Sequence, residues 1–356
     1  MNHHTNEGNR TSKERAFYLS AKEVCRDLFE VNPAMYWIDF CISAIVAYSA
    51  ASLWLHLPMS HPLAWVGFFV GAFGVYRASM FIHEIVHLPR NRMMGFRRFW
   101  NLFAGVPLLV PTSTYESHIH HHNSRHYGTD HDGEYLPLAS GTLAGVLIFL
   151  AQIFFQPILV MLRYLFWTPA SFLHPKLRTW TLQHASSLVI NFKYENHKKP
   201  EKQSAEDTFW EVFTCLRAWL MIGLVAATVM PPDRLPKLYA LTVFILAVNH
   251  IRTLAAHRYT SDGSQSTHLE QFFDSTNITG GWFTELICPL GLRYHALHHL
   301  FPAIPYYNLG IAHRRLMKAF PDPASPYQAN VYQSLLQAIR ELIAAIGANR
   351  TSPDSP

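Results

Sequence analysis

Three histidine clusters punctuate the chain: His83-Glu-Ile-Val-His87, His118-Ile-His-His121-His122 and His295-Ala-Leu-His298-His299. On a helix, positions i and i+4 lie about 40° apart and i and i+3 about 60° apart, so each cluster aims its imidazoles to one side. Burying eight such rings without a metal would leave many donors and acceptors to satisfy, and their protonation would be mutually repulsive. Metal binding is the economical explanation. Neutral imidazole suits zinc, copper, nickel and iron, but eight or nine ligands are too many for one tetrahedral zinc and point to two metal ions, with iron preferred. The scattered histidines His56, His61, His174, His184, His197, His268 and His313 read as ordinary surface or core residues.

The elements that must position these clusters are apolar. Of 356 residues 49% are hydrophobic and only 15% charged, well under the usual quarter, and the deficit sits in long apolar runs. That composition excludes a disordered chain, a collagen and a coiled coil. Four scattered cysteines (Cys25, Cys41, Cys215, Cys288) make neither a disulfide framework nor a zinc pattern, so reduced thiols are expected. Four stretches approach the roughly 20 apolar residues of a membrane span, at about 36–57, 63–81, 212–230 and 238–256, paired into two hairpins. Most of the 29 lysines and arginines fall in the polar arm and in 88–141, 167–211 and 258–356, the distribution of a cytoplasmic side. A fifth apolar stretch, 142–166, contains Gln152, Gln156, Pro157 and Arg163 and is read as interfacial or re-entrant. If it crossed, the second and third histidine clusters would lie on opposite faces. No signal peptide is expected, because the first apolar stretch begins near Met35; Ser20-Ala-Lys-Glu23 has capping-box spacing, which predicts a short helix from Ser20 to Asn32.

The three boxes resemble the signature of the membrane fatty acid desaturase and hydroxylase family, an HxxxH-type box followed by two HxxHH boxes. The likeness extends to His126-Tyr-Gly-Thr129 with Asp132-Gly-Glu-Tyr135, and to His299-Leu-Phe-Pro302 followed by Pro305-Tyr-Tyr-Asn308, and covers most of residues 36–320. It implies iron ligands at His83, His87, His118, His121, His122, His295, His298 and His299, and a ninth at His257, in Leu254-Ala-Ala-His257 at the end of the last span. Some relatives carry asparagine four residues before that histidine, touching iron through water; here Thr253 stands there, with Asn249 as a replacement. His126 and Glu84 are placed to orient ligands, as are Glu116 and Asp130 in the second-box region, whereas His120 points away from its neighbours and is left out. No catalytic side chain beyond the metal ligands is implied.

The resulting expectation is an all-α integral membrane protein. An N-terminal arm spans 1–34, a desaturase-like domain 35–320, and a C-terminal helix with a disordered tail 321–356. Four transmembrane helices in two hairpins carry a cytoplasmic helical cap holding the histidine-rich di-metal site. The resemblance implies an O2-dependent fatty acyl desaturase with two Fe2+ ions, acting on a membrane lipid and reduced by a separate ferredoxin or b-type cytochrome with its reductase. The bacterial inner membrane or the endoplasmic reticulum is the expected location, and nucleic acid is not an expected partner. The alternative is a lipid, carotenoid or alkane hydroxylase of the same family. More remote is a membrane zinc metalloprotease using the HExxH string at 83–87; it would leave two boxes unexplained. Arg77 reads as a cation near the inner end of a span, and Trp282, Phe283 and Tyr294 as candidate walls of an acyl tunnel.

Overall fold

In the computed structural model, residues 3–196 and 200–351 are described, and nearly all the regular structure is helical. In chain order the helices are α1 (His3–Val24), α2 (Pro33–His56), α3 (Pro62–His87), α4 (Met94–Trp100), α5 (His118–His121), α6 (Leu143–Leu162), α7 (Thr168–Ser171), α8 (Pro175–His184), α9 (Ala205–Ala226), α10 (Arg234–Ala256), α11 (His268–Asp274), α12 (Trp282–Ile287), α13 (His295–Leu300), α14 (Tyr306–Ala319) and α15 (Leu335–Thr351). Two short strands, β1 (Asn277–Ile278) and β2 (Val331–Tyr332), pair in parallel and are the small exception to the all-helical expectation. The chain divides into two compact units, residues 32–136 with 142–251, and residues 1–31 with 137–141 and 252–356.

The first unit carries the apolar helices. Pro33 and Pro62 open α2 and α3, where a missing N–H costs nothing, and Asn32 caps α2 by accepting from the Ala34 amide. These two helices approach closely because glycines face small residues: a Cβ on Gly67 would lie 2.7 Å from the Ala50 carbonyl oxygen, and one on Gly71 2.8 Å from the Ala51 nitrogen. At the far end of α3, Phe96 of α4 packs edge-on against Tyr36, Phe40 and Phe81, and Trp100 donates to the Ala78 carbonyl at 2.9 Å. Arg77 pairs with Asp39 at 2.6 Å.

Among the described residues five helical segments are long and apolar enough to cross a bilayer, the four expected spans and the stretch read as interfacial, which makes this a multi-pass membrane protein. The fifth, Leu143–Ser171, has the highest mean hydropathy, 2.2 against 1.4–1.6 for the others, so length and composition do not set it apart as non-spanning. It continues through a π-turn, Arg163–Trp167, where Arg163 and Arg178 share the buried carboxylate of Glu211 at 3.3 and 2.6 Å.

In the second unit the helix of the N-terminal arm is α1, ending at Val24 and followed by a 3-10 turn at Arg26–Leu28, not a helix from Ser20 to Asn32. Ser20 is interior to it. Phe17, Ala21, Cys25 and Leu28 supply a buried stripe that packs with Phe272 of α11, Leu297 and Leu300 of α13 and Leu309, Ala312 and Leu316 of α14. A complete capping box at Thr267 and Glu270 starts α11. The strand segment 275–278 is held on both sides: His257 bridges Ser275, the Thr276 amide donates to the Ala256 carbonyl, and the Ala296 amide donates to the Thr276 carbonyl. That clamp sets the end of α10 against the start of α13. The expected disordered tail falls largely on residues outside those described.

Candidate metal centre

In the first unit, ring nitrogens of His83, His87, His118 and His122 lie within 4.8 Å of one another. His83 and His87 are one turn apart at the end of α3, and His118 and His122 one turn apart at α5, so two short helical arcs face each other. His118 Nε2 is 3.1 Å from His87 Nε2 and 3.1 Å from His122 Nε2. The other nitrogen of His118, Nδ1, donates to Glu134 Oε1 at 2.8 Å, and Glu134 also accepts from the Tyr115 hydroxyl, whose ring stacks on His118. His121 Nδ1 is likewise held by Asp132 Oδ2 at 2.8 Å, and Asp132 is fully buried.

The second unit repeats this chemistry. His257, His295 and His299 offer nitrogens within the same 4.8 Å limit, with His295 Nε2 2.9 Å from His257 Nε2 and 3.2 Å from His299 Nε2. Ser275 donates its one hydroxyl proton to the Gln271 carbonyl, so its oxygen is left to accept from His257 Nδ1 at 3.1 Å. The Gln271 side-chain oxygen lies 3.4 Å from His299 Nδ1. Burial, reinforced by the neighbouring His257, His299 and Arg252, drives the His295 imidazole well below the ordinary histidine range, so the ring is neutral. His298 is buried in the same helix, its ring centroid 6.1 Å from that of His295.

The proton bookkeeping fits a metal in both sets. With Nδ1–H given to a carboxylate, hydroxyl or amide oxygen, Nε2 of His118, His121, His257 and His299 carries a lone pair. In His118, His257 and His299 that lone pair points at another imidazole about 3 Å away. Donors about 2.1 Å from one ion sit roughly 3.0–3.4 Å from each other, which is the spacing found here. Neutral imidazole is also the protonation state that binds a metal.

With both sets in view, comparison with known proteins gives a consistent answer. Residues 59–330 match the family model described as fatty acid desaturase. A ceramide hydroxylase of Caulobacter vibrioides (strain NA1000 / CB15N) is 34% identical over 348 residues, covering 95% of this chain and 96% of that protein. The chain belongs to the fatty acid desaturase family. An endoplasmic reticulum omega-3 fatty acid desaturase of Vigna radiata var. radiata is 21% identical over 345 residues, 92% of this chain and 81% of the relative. Membership makes the protein an oxidoreductase of a family known for di-metal sites, and its histidine clusters are able to bind metal.

The residues expected to support the ligands of this desaturase-family chain have the following contacts. Glu84 accepts from the Tyr36 hydroxyl at 2.9 Å and lies 3.8 Å from His83 Nδ1. Held there beside four clustered imidazoles, it does not resemble the glutamate of a two-histidine zinc site. Asn249 meets the Tyr76 hydroxyl at 3.5 Å. Thr253 accepts from Arg252 through its hydroxyl and from Tyr259 through its carbonyl. His126 lies against His120 and His131, and His120 turns to the Tyr194 hydroxyl at 3.3 Å. Glu116 pairs with Arg90. Oxygens of Asp132, Glu134, Gln271 and Ser275 meet the ring nitrogens of His121, His118, His299 and His257. Trp282 and Phe283 are 77% and 56% exposed on α12 and so wall no enclosed tunnel, while Tyr294 stacks on His313. The four cysteines are free, and burial pushes the Cys288 thiol up to about 12 and that of Cys25 to about 11, so both stay protonated.

Proposed function

We infer that this protein is a membrane lipid hydroxylase that inserts one oxygen atom into an unactivated carbon–hydrogen bond of a ceramide or ceramide-like lipid. Identity of 34% across nearly the whole of both chains to a ceramide hydroxylase carries the reading, and it reverses the order expected from sequence, which put desaturation first. In this reading His83, His87, His118 and His122 hold one iron and His257, His295 and His299 another, with His121 and His298 supplying the remaining donors. Reduced iron with dioxygen supplies an oxidant strong enough for that bond. The balance is one C–H bond, one O2, two electrons and two protons to one alcohol and one water, the electrons coming from a separate ferredoxin or b-type cytochrome with its reductase.

The chain's own residues have two tasks. Glu134, Asp132, Ser275 and Gln271 keep the Nδ1 protons in place, so that the Nε2 lone pairs face the ions and the rings do not rotate. Burial of His118, His295, His298 and His299, none more than 4% exposed, keeps bulk water from the oxidant. The basic stretches are assigned to the cytoplasmic side, where an acidic electron donor docks.

Lipid mass spectrometry of cells expressing the chain, set against cells expressing His298→Ala, tests the reading. A lipid heavier by 16 mass units, absent from the variant, is expected, along with about two irons per purified chain and no haem band. A loss of 2 mass units instead favours desaturation, the chemistry named for the Vigna relative.

A further inference from the structure

Helix α12 turns its largest side chains outward. Trp282, Phe283 and Leu286 are 77%, 56% and 37% exposed, and at 100° per residue they fall within one arc of 100°, while Thr284 and Ile287 on the other side are buried. The helix is braced in this orientation. Arg293 Nε donates to the Ile278 carbonyl at 2.9 Å, a terminal nitrogen of the same guanidinium donates to the Gly280 carbonyl at 2.8 Å, and the other lies 3.5 Å from Glu285 of the helix itself. The Gly280 amide also donates to the Gln333 carbonyl, which sets the start of α15 beside that of α12, and there Leu336 is 53% exposed. Large apolar side chains grouped on a fixed element mark a contact surface.

The position of α12 says what that surface meets. Between Lys237 and Arg252, α10 carries no lysine, arginine, aspartate or glutamate, so Arg252 marks the level at which this span reaches the headgroups. The segment meets the last turn of the span twice: before α12 the Thr276 amide donates to the Ala256 carbonyl, and after it the charge of Arg252 acts on the buried Cys288 thiol. A helix tied in this way lies at the membrane surface, where tryptophan, phenylalanine and leucine on one face favour insertion. The one charged side chain of α12, Glu285, is paired with Arg293, so the face offers apolar area and not charge.

We propose that α12 is an interfacial foot that seats Trp282, Phe283 and Leu286 among the phospholipids of the bilayer, on the side where α10 ends. Burial of apolar area drives the contact, so zwitterionic lipid suffices. The third histidine box begins eight residues after α12 ends, and the foot thereby fixes the depth at which His295, His298 and His299 are held relative to the leaflet. The contact is the same whether the chain hydroxylates or desaturates its substrate.

The test uses the full chain in phosphatidylcholine nanodiscs, with a nitroxide attached singly at Trp282→Cys, Phe283→Cys, Ser264→Cys or Ile45→Cys and the signal of labelled wild-type protein subtracted. Ser264 is exposed in a polar loop and Ile45 is 67% exposed in the middle of α2, so they serve as the aqueous and hydrocarbon references. Collisions of each nitroxide with dioxygen, which partitions into lipid, and with a water-soluble nickel chelate give its depth. Labels at 282 and 283 are expected about 5–10 Å inside the phosphate level, more open to dioxygen than the label at 264 and more open to the nickel chelate than the label at 45. Both substituted side chains are largely exposed, so thermal unfolding in detergent should stay at the wild-type value, and the readout needs neither metal nor turnover. Labels at 282 and 283 as open to the nickel chelate as the one at 264 would place the face in water. Labels closed to both reagents would place it against protein, a second copy of the chain included. Either result overturns the proposal.

Discussion

A histidine binds a metal well only when its second nitrogen is occupied, and that requirement separates Glu134 from the nearer Glu116. Glu134 touches the ring of His118, whereas Glu116 pairs with Arg90. Glu134→Gln keeps the shape but replaces a charged acceptor with a neutral amide, and metal affinity is expected to fall about 10- to 100-fold, measured by chelator competition on the purified protein. Glu116→Gln, in the same assay, should stay within about twofold of wild type; equal losses in both would mean that Glu134 matters only for packing. The ring clustering was legible in sequence because one-turn spacing is a local signal: His83 with His87, His118 with His122 and His295 with His299 need only a helix to share a side. Their oxygen partners were not. Asp132 and Glu134 lie beyond a loop from the rings they hold, and Gln271 and Ser275 come from α11 and its exit, so no fixed offset marks them. Glu116 and Asp130 looked better placed because they are close along the chain, which for a loop segment says little about direction.

Elements were legible to the extent that their own residues dictate them. Apolar length revealed the long helices, but α3 runs on to His87, six residues past the apolar stretch, because Ile82, Ile85 and Val86 are buried and Glu84 finds Tyr36. Helix α1 is polar overall and was missed. Its signal was the stripe Phe17, Ala21, Cys25 and Leu28, weaker than the capping-box spacing at Ser20, and it acquires meaning only against the core of its unit. The same dependence on partners makes the α2–α3 contact testable. Gly71→Ala would set a methyl 2.8 Å from the backbone nitrogen of Ala51, where no side chain can yield, whereas Gly223→Ala in α9 meets nothing within 4 Å. Overpacking of this kind costs about 1–3 kcal/mol, and replacing a helical glycine in open space gains up to about 1 kcal/mol. Thermal unfolding in detergent should therefore move in opposite directions for one and the same substitution. A rise for both would show that α2 and α3 are not closely packed there.

At the scale of the whole molecule the open quantity is the number of crossings, because Leu143–Ser171 is both long and apolar. Hydropathy alone counts five. Charge argues for four: the stretch before it carries Arg90, Arg92, Arg97, Arg98 and Arg125, and the stretch after it carries Lys176, Arg178, Lys193, Lys198, Lys199 and Lys202. Two short basic stretches on the two sides of a crossing helix would set one of them against the bias of positive charge towards the cytoplasm. The contacts of the helix agree with the charges, since Gln152 donates to the Ile190 carbonyl in the loop beside Asp132, and Arg163 joins Arg178 at Glu211. A span that handed its middle and its end to polar segments of this sort would have to carry them into the hydrocarbon. We therefore expect Arg92→Cys and Lys176→Cys, each introduced singly, to react alike with a membrane-impermeant maleimide, both protected in sealed spheroplasts and both labelled once the membrane is opened. Background is low, because Cys25, Cys215 and Cys288 are buried and Cys41 lies within α2. Labelling of one site but not the other in intact spheroplasts would establish a fifth crossing and, with it, an odd number of passes between the second histidine box and the start of α9.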